Sequence, residues 1–336
     1  MERFVPVHVF YEEKALDYPL GAKLFRRYDE SGVPLTKIDD HNNIPEFRRA
    51  PDEMFPKLKK YLIIGVRKSL AHVPNRKTSD YLVPFTSSGC PAMCLYCYLV
   101  CTYFKGAYLR VFVNREAMMD RMKKKAEKSE KPLVFEIGSN SDLVIENTVT
   151  GNLEWAVKEF AAVKNAYITL PTKFHMIDSL LDIEHNKRTT VRMSVNPEPV
   201  IKKVELGTSP LEKRLNAMNR LFKAGYRVGM LLAPVVLMDG WETMYEDLLK
   251  KTAARLNPGL TNGLPVEIIF MTYGYAHRQI NPAAFPNAVD LFSPEKMRPR
   301  GRGKYMYKKA VAEAAGETVR GLVKKYLPKA HIVYVC

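Results

Sequence analysis

The chain has 336 residues, with 52 lysines and arginines against 36 aspartates and glutamates, a formal charge of +16. No apolar run reaches the length of about 18 residues that a spanning helix needs, so no membrane span is expected. Five cysteines, three of them bunched, are too few for a disulfide framework and fit a reduced compartment.

The basic excess favours polyanions through counterion release, and nucleic acid is an expected partner. The start, Met1-Glu-Arg-Phe-Val-Pro6, lacks the basic-then-apolar layout of a signal peptide, and a cytoplasmic location is expected. In chain order, Phe4–Phe10 reads as a strand and Glu12–Arg27 as a helix with apolar Ala15, Leu16, Leu20, Leu24 and Phe25. A polar loop containing Asp39–Asn43 leads to a second strand at Tyr61–Val66. Residues 1–80 are therefore expected to form a small α/β extension laid against a main domain.

From residue 81 strand and helix alternate. Strands are predicted at 81–86, 133–137, 166–170, 190–195, 226–234 and 265–271. The helices between them are amphipathic: Leu153, Ala156, Val157, Phe160 and Ala161 share one face, as do Leu211, Leu215, Met218, Leu221 and Phe222. Such alternation implies a parallel sheet with right-handed crossovers. The fold class is α/β, and six units make a partial (β/α)6 TIM-like barrel over 81–272, with function at the C-terminal strand ends. Residues 273–336 read as a C-terminal extension: a loop over Pro282–Arg302, a helix over about 305–327 and a last strand at His331–Val335.

The most specific motif is Cys90-Pro-Ala-Met-Cys94-Leu-Tyr-Cys97, reached through Ser87-Ser-Gly89. Thiolates at this spacing can hold three irons of a cubane and leave the fourth open to a small molecule, whereas electron-transfer clusters usually have every iron ligated by protein. A zinc knuckle asks for a fourth ligand from a second pair, and none lies nearby. The spacing resembles the radical S-adenosylmethionine signature, in which the open iron of a [4Fe–4S] cluster is chelated by S-adenosylmethionine.

Further blocks extend the likeness over nearly the whole chain. They are Ser88-Gly-Cys90-x3-Cys94-x-Tyr-Cys-Tyr-Leu99, Tyr108–Asn114, Phe135-Glu-x4-Ser-Asp142 and Thr172-Lys-Phe-His175, then Ser194-Val-Asn196, Gly207-Thr-Ser-Pro210, Ala233-Pro234 and Asp239-Gly-Trp241. In order and spacing these resemble the spore photoproduct lyase family. The resemblance implies a DNA-repair lyase that reverts the methylene-bridged thymine dimer of UV-irradiated spores through a 5′-deoxyadenosyl radical. It also implies UV-damaged DNA as partner, an electron donor such as a flavodoxin or ferredoxin, a monomer, and residence in the spore core with a role at germination.

Residue by residue, the resemblance implies that Cys90, Cys94 and Cys97 ligate the cluster. Tyr96 would lie near the adenine of S-adenosylmethionine, and Ser141, Lys173, Ser194 and Asn196 would bind its polar groups, Lys173 the carboxylate. Turn chemistry is the other reading of the serines and Asn196. Tyr96 and Tyr98 are candidates for a redox relay, or pack around the cluster. The run Arg298-Pro-Arg300-Gly-Arg302-Gly-Lys304, with Tyr305, sits where the family presents a basic hairpin to damaged DNA; a solvated basic loop is the alternative.

One position departs from the family pattern. Ser139 stands where the family usually has a cysteine that donates a hydrogen atom to the product radical, and a serine O–H bond is too strong to serve. Cys101 is the candidate replacement, or a small buried hydrophobe. Two other functions fit the motif set: a paralogue acting on another nucleic-acid lesion or base, and an iron-sulfur DNA-binding protein without turnover.

Overall fold

The computed structural model describes residues 2–83 and 85–336. It is a mixed α/β fold that divides into two units. The first comprises Met1–Pro91, Tyr103–Thr172 and Met176–Thr190; the second comprises Ala92–Thr102, Lys173–His175 and Val191–Cys336.

In the first unit one sheet runs, in spatial order, Leu35–Ile38, His8–Glu12, Tyr61–Gly65, Leu109–Phe112 and Ser87–Ser88. All neighbours are parallel except the last pair. Tyr61–Gly65 is its middle strand, buried along its whole length, which is why its sequence is a continuous apolar run rather than an alternation. Helix Pro19–Glu30 starts on Pro19, whose missing N–H costs nothing at that position. It buries Leu20, Leu24 and Tyr28, one above another at spacing four. The predicted N-terminal helix thus begins seven residues later than Glu12, because Glu12 ends the first strand instead. Its carboxylate is buried and accepts from the backbone N–H groups of His41 at 3.0 Å and Val66 at 2.8 Å, pinning the polar loop to the sheet.

The second group of strands in this unit is ordered Ala166–Thr172, Leu133–Glu136, Tyr81–Leu82 and Val73–Pro74. The first two pairs are parallel and the last antiparallel. The predicted strand at 81–86 is regular only at Tyr81–Leu82, and Pro84 within it lies outside the described residues. Helix Asn152–Ala161 buries Leu153, Ala156, Val157 and Phe160, as its periodicity predicts.

In the second unit Arg227–Val235, Pro265–Phe270 and His331–Val335 are parallel neighbours, with Thr189–Val195 beyond Arg227–Val235. Helix Leu211–Lys223 buries Leu211, Leu215, Met218 and Leu221 and ends before Gly225, whose φ of +86° suits glycine. The stretch after residue 272 differs from the predicted loop. Tyr275–Ala284 is a helix, and Met297–Gly301 and Lys304–Tyr307 form an antiparallel hairpin on the short strand Thr272–Gly274. The last helix therefore spans Lys309–Tyr326 instead of starting at 305. Among the described residues no helix is long and apolar enough to cross a membrane.

Candidate active site

The first unit positions Cys90. Ser87 and Ser88 pair with Val111 and Arg110, and the Arg110 Nε donates to Ser88 Oγ at 3.0 Å. Gly89 then turns the chain with a φ of +75°, and a Cβ there would meet the Tyr108 carbonyl oxygen at 1.8 Å. Only glycine fits this close approach. The Gly89 N–H donates to Asn140 O at 2.8 Å, and Gly89 bridges Ser141 in parallel. Ser141 is buried, its Oγ without a hydrogen-bond partner among the described residues, and Ser139 sits half-buried in the turn before it. Asp142 caps the following helix through Val144 N–H at 3.1 Å and accepts from Thr172 Oγ1 at 2.8 Å.

In the second unit Met93–Cys94 pairs antiparallel with Glu205–Leu206, Cys94 opposite Glu205. Leu95 N–H extends this pairing to Val204 O at 3.0 Å, and Cys97 N–H closes a turn on Cys94 O at 3.1 Å. Helix Tyr98–Tyr103 follows at once, leaving Tyr98 about half exposed, at 53%. None of the five cysteines is in a disulfide.

Glu205 is the centre of this unit's site. Its carboxylate is wholly buried and accepts from Tyr96 OH, from Asn196 Nδ2 at 2.8 Å and from Arg214 Nη2 at 2.7 Å, with Lys173 Nζ at 3.2 Å. Burial alone would raise its pKa. The charges of Lys173 and Arg214 and the bonds from Tyr96 and Asn196 outweigh that and hold it at about 2. Tyr96 responds the opposite way: burial and then the Glu205 charge push its phenol well above the usual value, so it is a fixed donor.

Lys173 also donates to Ser194 Oγ and Ala233 O, both at 2.6 Å. Asn196 reaches Pro234 O at 3.1 Å, and its Oδ1 accepts from the buried Tyr245 OH at 2.9 Å. Arg214 is fully buried, bonded to Ser194 O and Ser209 O as well as Glu205. Four residues singled out in the sequence, Tyr96, Lys173, Ser194 and Asn196, are thus brought into one hydrogen-bonded network. The sequence reading passed over its hub, Glu205, and over Arg214. A lone glutamate in Val204-Glu205-Leu206 was the available signal, since a charge in an apolar run is expensive unless paired.

The basic run forms the hairpin turn. Gly301, Arg302 and Gly303 have φ of +96°, +52° and +68°, and Arg298, Arg300, Arg302 and Lys304 are all exposed. Tyr305 lies across from Tyr273 and packs on Phe292 at 4.8 Å, with the Arg278 guanidinium 4.1 Å from the Phe292 ring centroid. The turn is a projecting cationic finger on an aromatic base.

Three cysteines outside any disulfide, within eight residues after the Gly89 turn, are a soft donor set suited to an iron-sulfur cluster, and the Ser141 Oγ, with no hydrogen-bond partner among the described residues, is a buried polar group fit for a ligand. A soft thiol set and a buried charged network on an α/β fold are features that cofactor-dependent enzymes use. The spore photoproduct lyase family model matches residues 4–336, so the chain belongs to that family. It is similar to the spore photoproduct lyase of Bacillus subtilis (33% identical, covering 98% of each chain) and to that of Clostridium acetobutylicum (31%, covering 97% of this chain and 98% of the relative). Among solved structures it resembles a spore photoproduct lyase complexed with dinucleoside spore photoproduct (TM-score 0.92, 29% identical, 99% of each chain). It equally resembles a variant with bound AdoMet and dinucleoside spore photoproduct (TM-score 0.92, 28%, 99% of each).

Proposed function

We propose that this chain is a radical S-adenosylmethionine carbon–carbon lyase that reverts spore photoproduct, 5-thyminyl-5,6-dihydrothymine, to two thymines in UV-damaged DNA. The observation that carries the reading is the convergence of Tyr96, Lys173 and Asn196 on buried Glu205, whose strand pairs with the cysteine loop. Family membership supplies the substrate class. The proposal further includes a partial (β/α)6 barrel over 81–272 with extensions at 1–80 and 273–336, an electron donor such as a flavodoxin or ferredoxin, a monomer and the spore core.

Cys90, Cys94 and Cys97 would hold a [4Fe–4S] cluster, and Tyr96, Ser141, Lys173, Ser194 and Asn196 would bind S-adenosylmethionine. Bound together and reduced, these groups would supply radical chemistry able to take one hydrogen atom from the substrate and return it. The chain's own share is binding, orientation and exclusion of water. Lys173 presents an ammonium whose three N–H groups already meet Glu205, Ser194 Oγ and Ala233 O, so a ligand carboxylate would take the place of one of these acceptors. Cys101 would quench the product radical in place of the family's cysteine, with Tyr98 as the next candidate.

Ser139 favours one second reading, a paralogue acting on another lesion or base. Anaerobically reconstituted protein, reduced with dithionite and given S-adenosylmethionine and dinucleoside spore photoproduct, separates the possibilities. Thymine release supports the lyase. 5′-Deoxyadenosine without thymine supports the paralogue, and neither product leaves an iron-sulfur DNA-binding protein.

The hairpin, with exposed Arg298, Arg300, Arg302 and Lys304 and half-buried Tyr305, would contact DNA. Replacing Arg300 and Arg302 by alanine is expected to weaken duplex binding and to lower the salt slope by about one unit per lost phosphate contact. Binding measured across a salt series with an unchanged slope would make the hairpin ordinary solvated surface.

A further inference from the structure

Cys101 lies one helical turn beyond Cys97 and is half-buried. Its Sγ is 3.8 Å from Nδ1 and 4.0 Å from Nε2 of His277, nearly equidistant and so in line with neither nitrogen. Both nitrogens are already committed. Nδ1 accepts from the Gly274 N–H at 3.0 Å, and Nε2–H donates to the Cys97 carbonyl at 2.8 Å. The ring is thereby fixed in one tautomer and orientation, buried at 1% exposure and stacked on Tyr273 at 4.9 Å. Asn281, on the same helix, donates to Leu95 O at 2.8 Å, so this helix is tied to the cysteine loop at two carbonyls.

Gly274 supplies the remaining wall. Its φ of −124° and ψ of 160° are ordinary extended values open to any residue, so the backbone does not call for glycine. Space does: a Cβ at 274 would stand 2.4 Å from Cys101 Sγ. Gly274 pairs with Lys304 across the hairpin, so the strand that makes room for the thiol belongs to the sheet carrying the basic turn.

We propose that Gly274 and His277 form a seat for the Cys101 thiol and act as positioning residues for the hydrogen-atom transfer to the product radical. This rests on the lyase reading with Cys101 as donor. In that transfer the Cys101 S–H bond breaks homolytically as a C–H bond forms on thymine. The thiyl radical recovers a hydrogen atom from 5′-deoxyadenosine, so no external oxidant or reductant is consumed.

A double-mutant cycle in denaturant tests the seat without turnover. Gly274→Ala is expected to lower stability in the parent and to be nearly neutral in Cys101→Ala, where the colliding sulfur is gone. Additive effects would overturn the seat. In reconstituted holoenzyme, peptide-resolved alkylation should find Cys101 about tenfold more reactive in Gly274→Ala, the factor set by strain of the size overpacking causes. An unchanged rate counts against it.

Turnover in heavy water supplies the last readout. His277→Phe keeps the ring and removes both hydrogen bonds. It is expected to go on making 5′-deoxyadenosine while solvent deuterium in the thymine methyl falls and adducts rise. Parent-like product and deuterium content would remove His277 from the mechanism. If no variant, the parent included, released thymine, the lyase reading would fail while the cycle still reported on the seat.

Discussion

Glu205→Ala is expected to cost about 3–5 kcal/mol of stability, because it leaves the buried Arg214 and the largely buried Lys173 without their anion. Tyr96 OH and Asn196 Nδ2 lose an acceptor in the same step. The Tyr96 ring then loses its anchor and the Lys173 ammonium keeps only Ser194 Oγ and Ala233 O, so S-adenosylmethionine affinity should fall together with stability.

Glu205→Gln separates charge from shape. The native carboxyl titrates at about 2, against an ordinary value of 4.5. A depressed carboxylate pKa contributes stability that is present above the ordinary value and lost as pH falls towards the folded one. The shift amounts to about 3 kcal/mol, lost between about pH 4.5 and pH 2. Denaturant midpoints of the apo-protein measured down this range should fall steeply for the parent and less steeply for the glutamine variant. Parallel curves would mean that Glu205 is not the acid-sensitive link.

Cys94→Ala is expected to abolish cleavage of S-adenosylmethionine and to bind well below the about four irons per chain of a full cluster. Cys94 faces Glu205 across the two-residue pairing, so its backbone position is held independently of any bound group. The alanine variant should therefore fold with near-parent stability, and the loss should be confined to iron content and chemistry. Full S-adenosylmethionine cleavage by Cys94→Ala would sink the cluster assignment.

The parts of the site legible in the sequence are those whose chemistry is local. A cysteine triplet is recognisable because its three thiols sit within eight residues. Helix Leu211–Lys223 is recognisable because burial on one face imposes a period that its own side chains display. The central strand Tyr61–Gly65 shows for the same reason, its two buried faces leaving no room for polar residues.

Residues whose role is a long-range pairing were not legible. Nothing near Glu205 in the chain announces that Tyr96, 109 positions earlier, ends on its carboxylate. Local pattern read the basic run as a loop, because proline and glycine break periodicity, and only the family resemblance implied a hairpin there. The hairpin exists because Thr272–Gly274 offers its strand a partner.

By itself, the sequence determined the α/β class, the family, the cysteine loop and the basic run, since each is written in adjacent residues or short periods. Only the tertiary structure decided that Lys173, Ser194 and Asn196 share the buried anion of Glu205. It alone showed that a Cβ at position 274 would stand 2.4 Å from the Cys101 sulfur, although the backbone there is ordinary extended chain. The reason is physical: burial makes an unpaired charge or a misplaced methyl costly, and which groups meet in the interior depends on chain segments far apart in sequence.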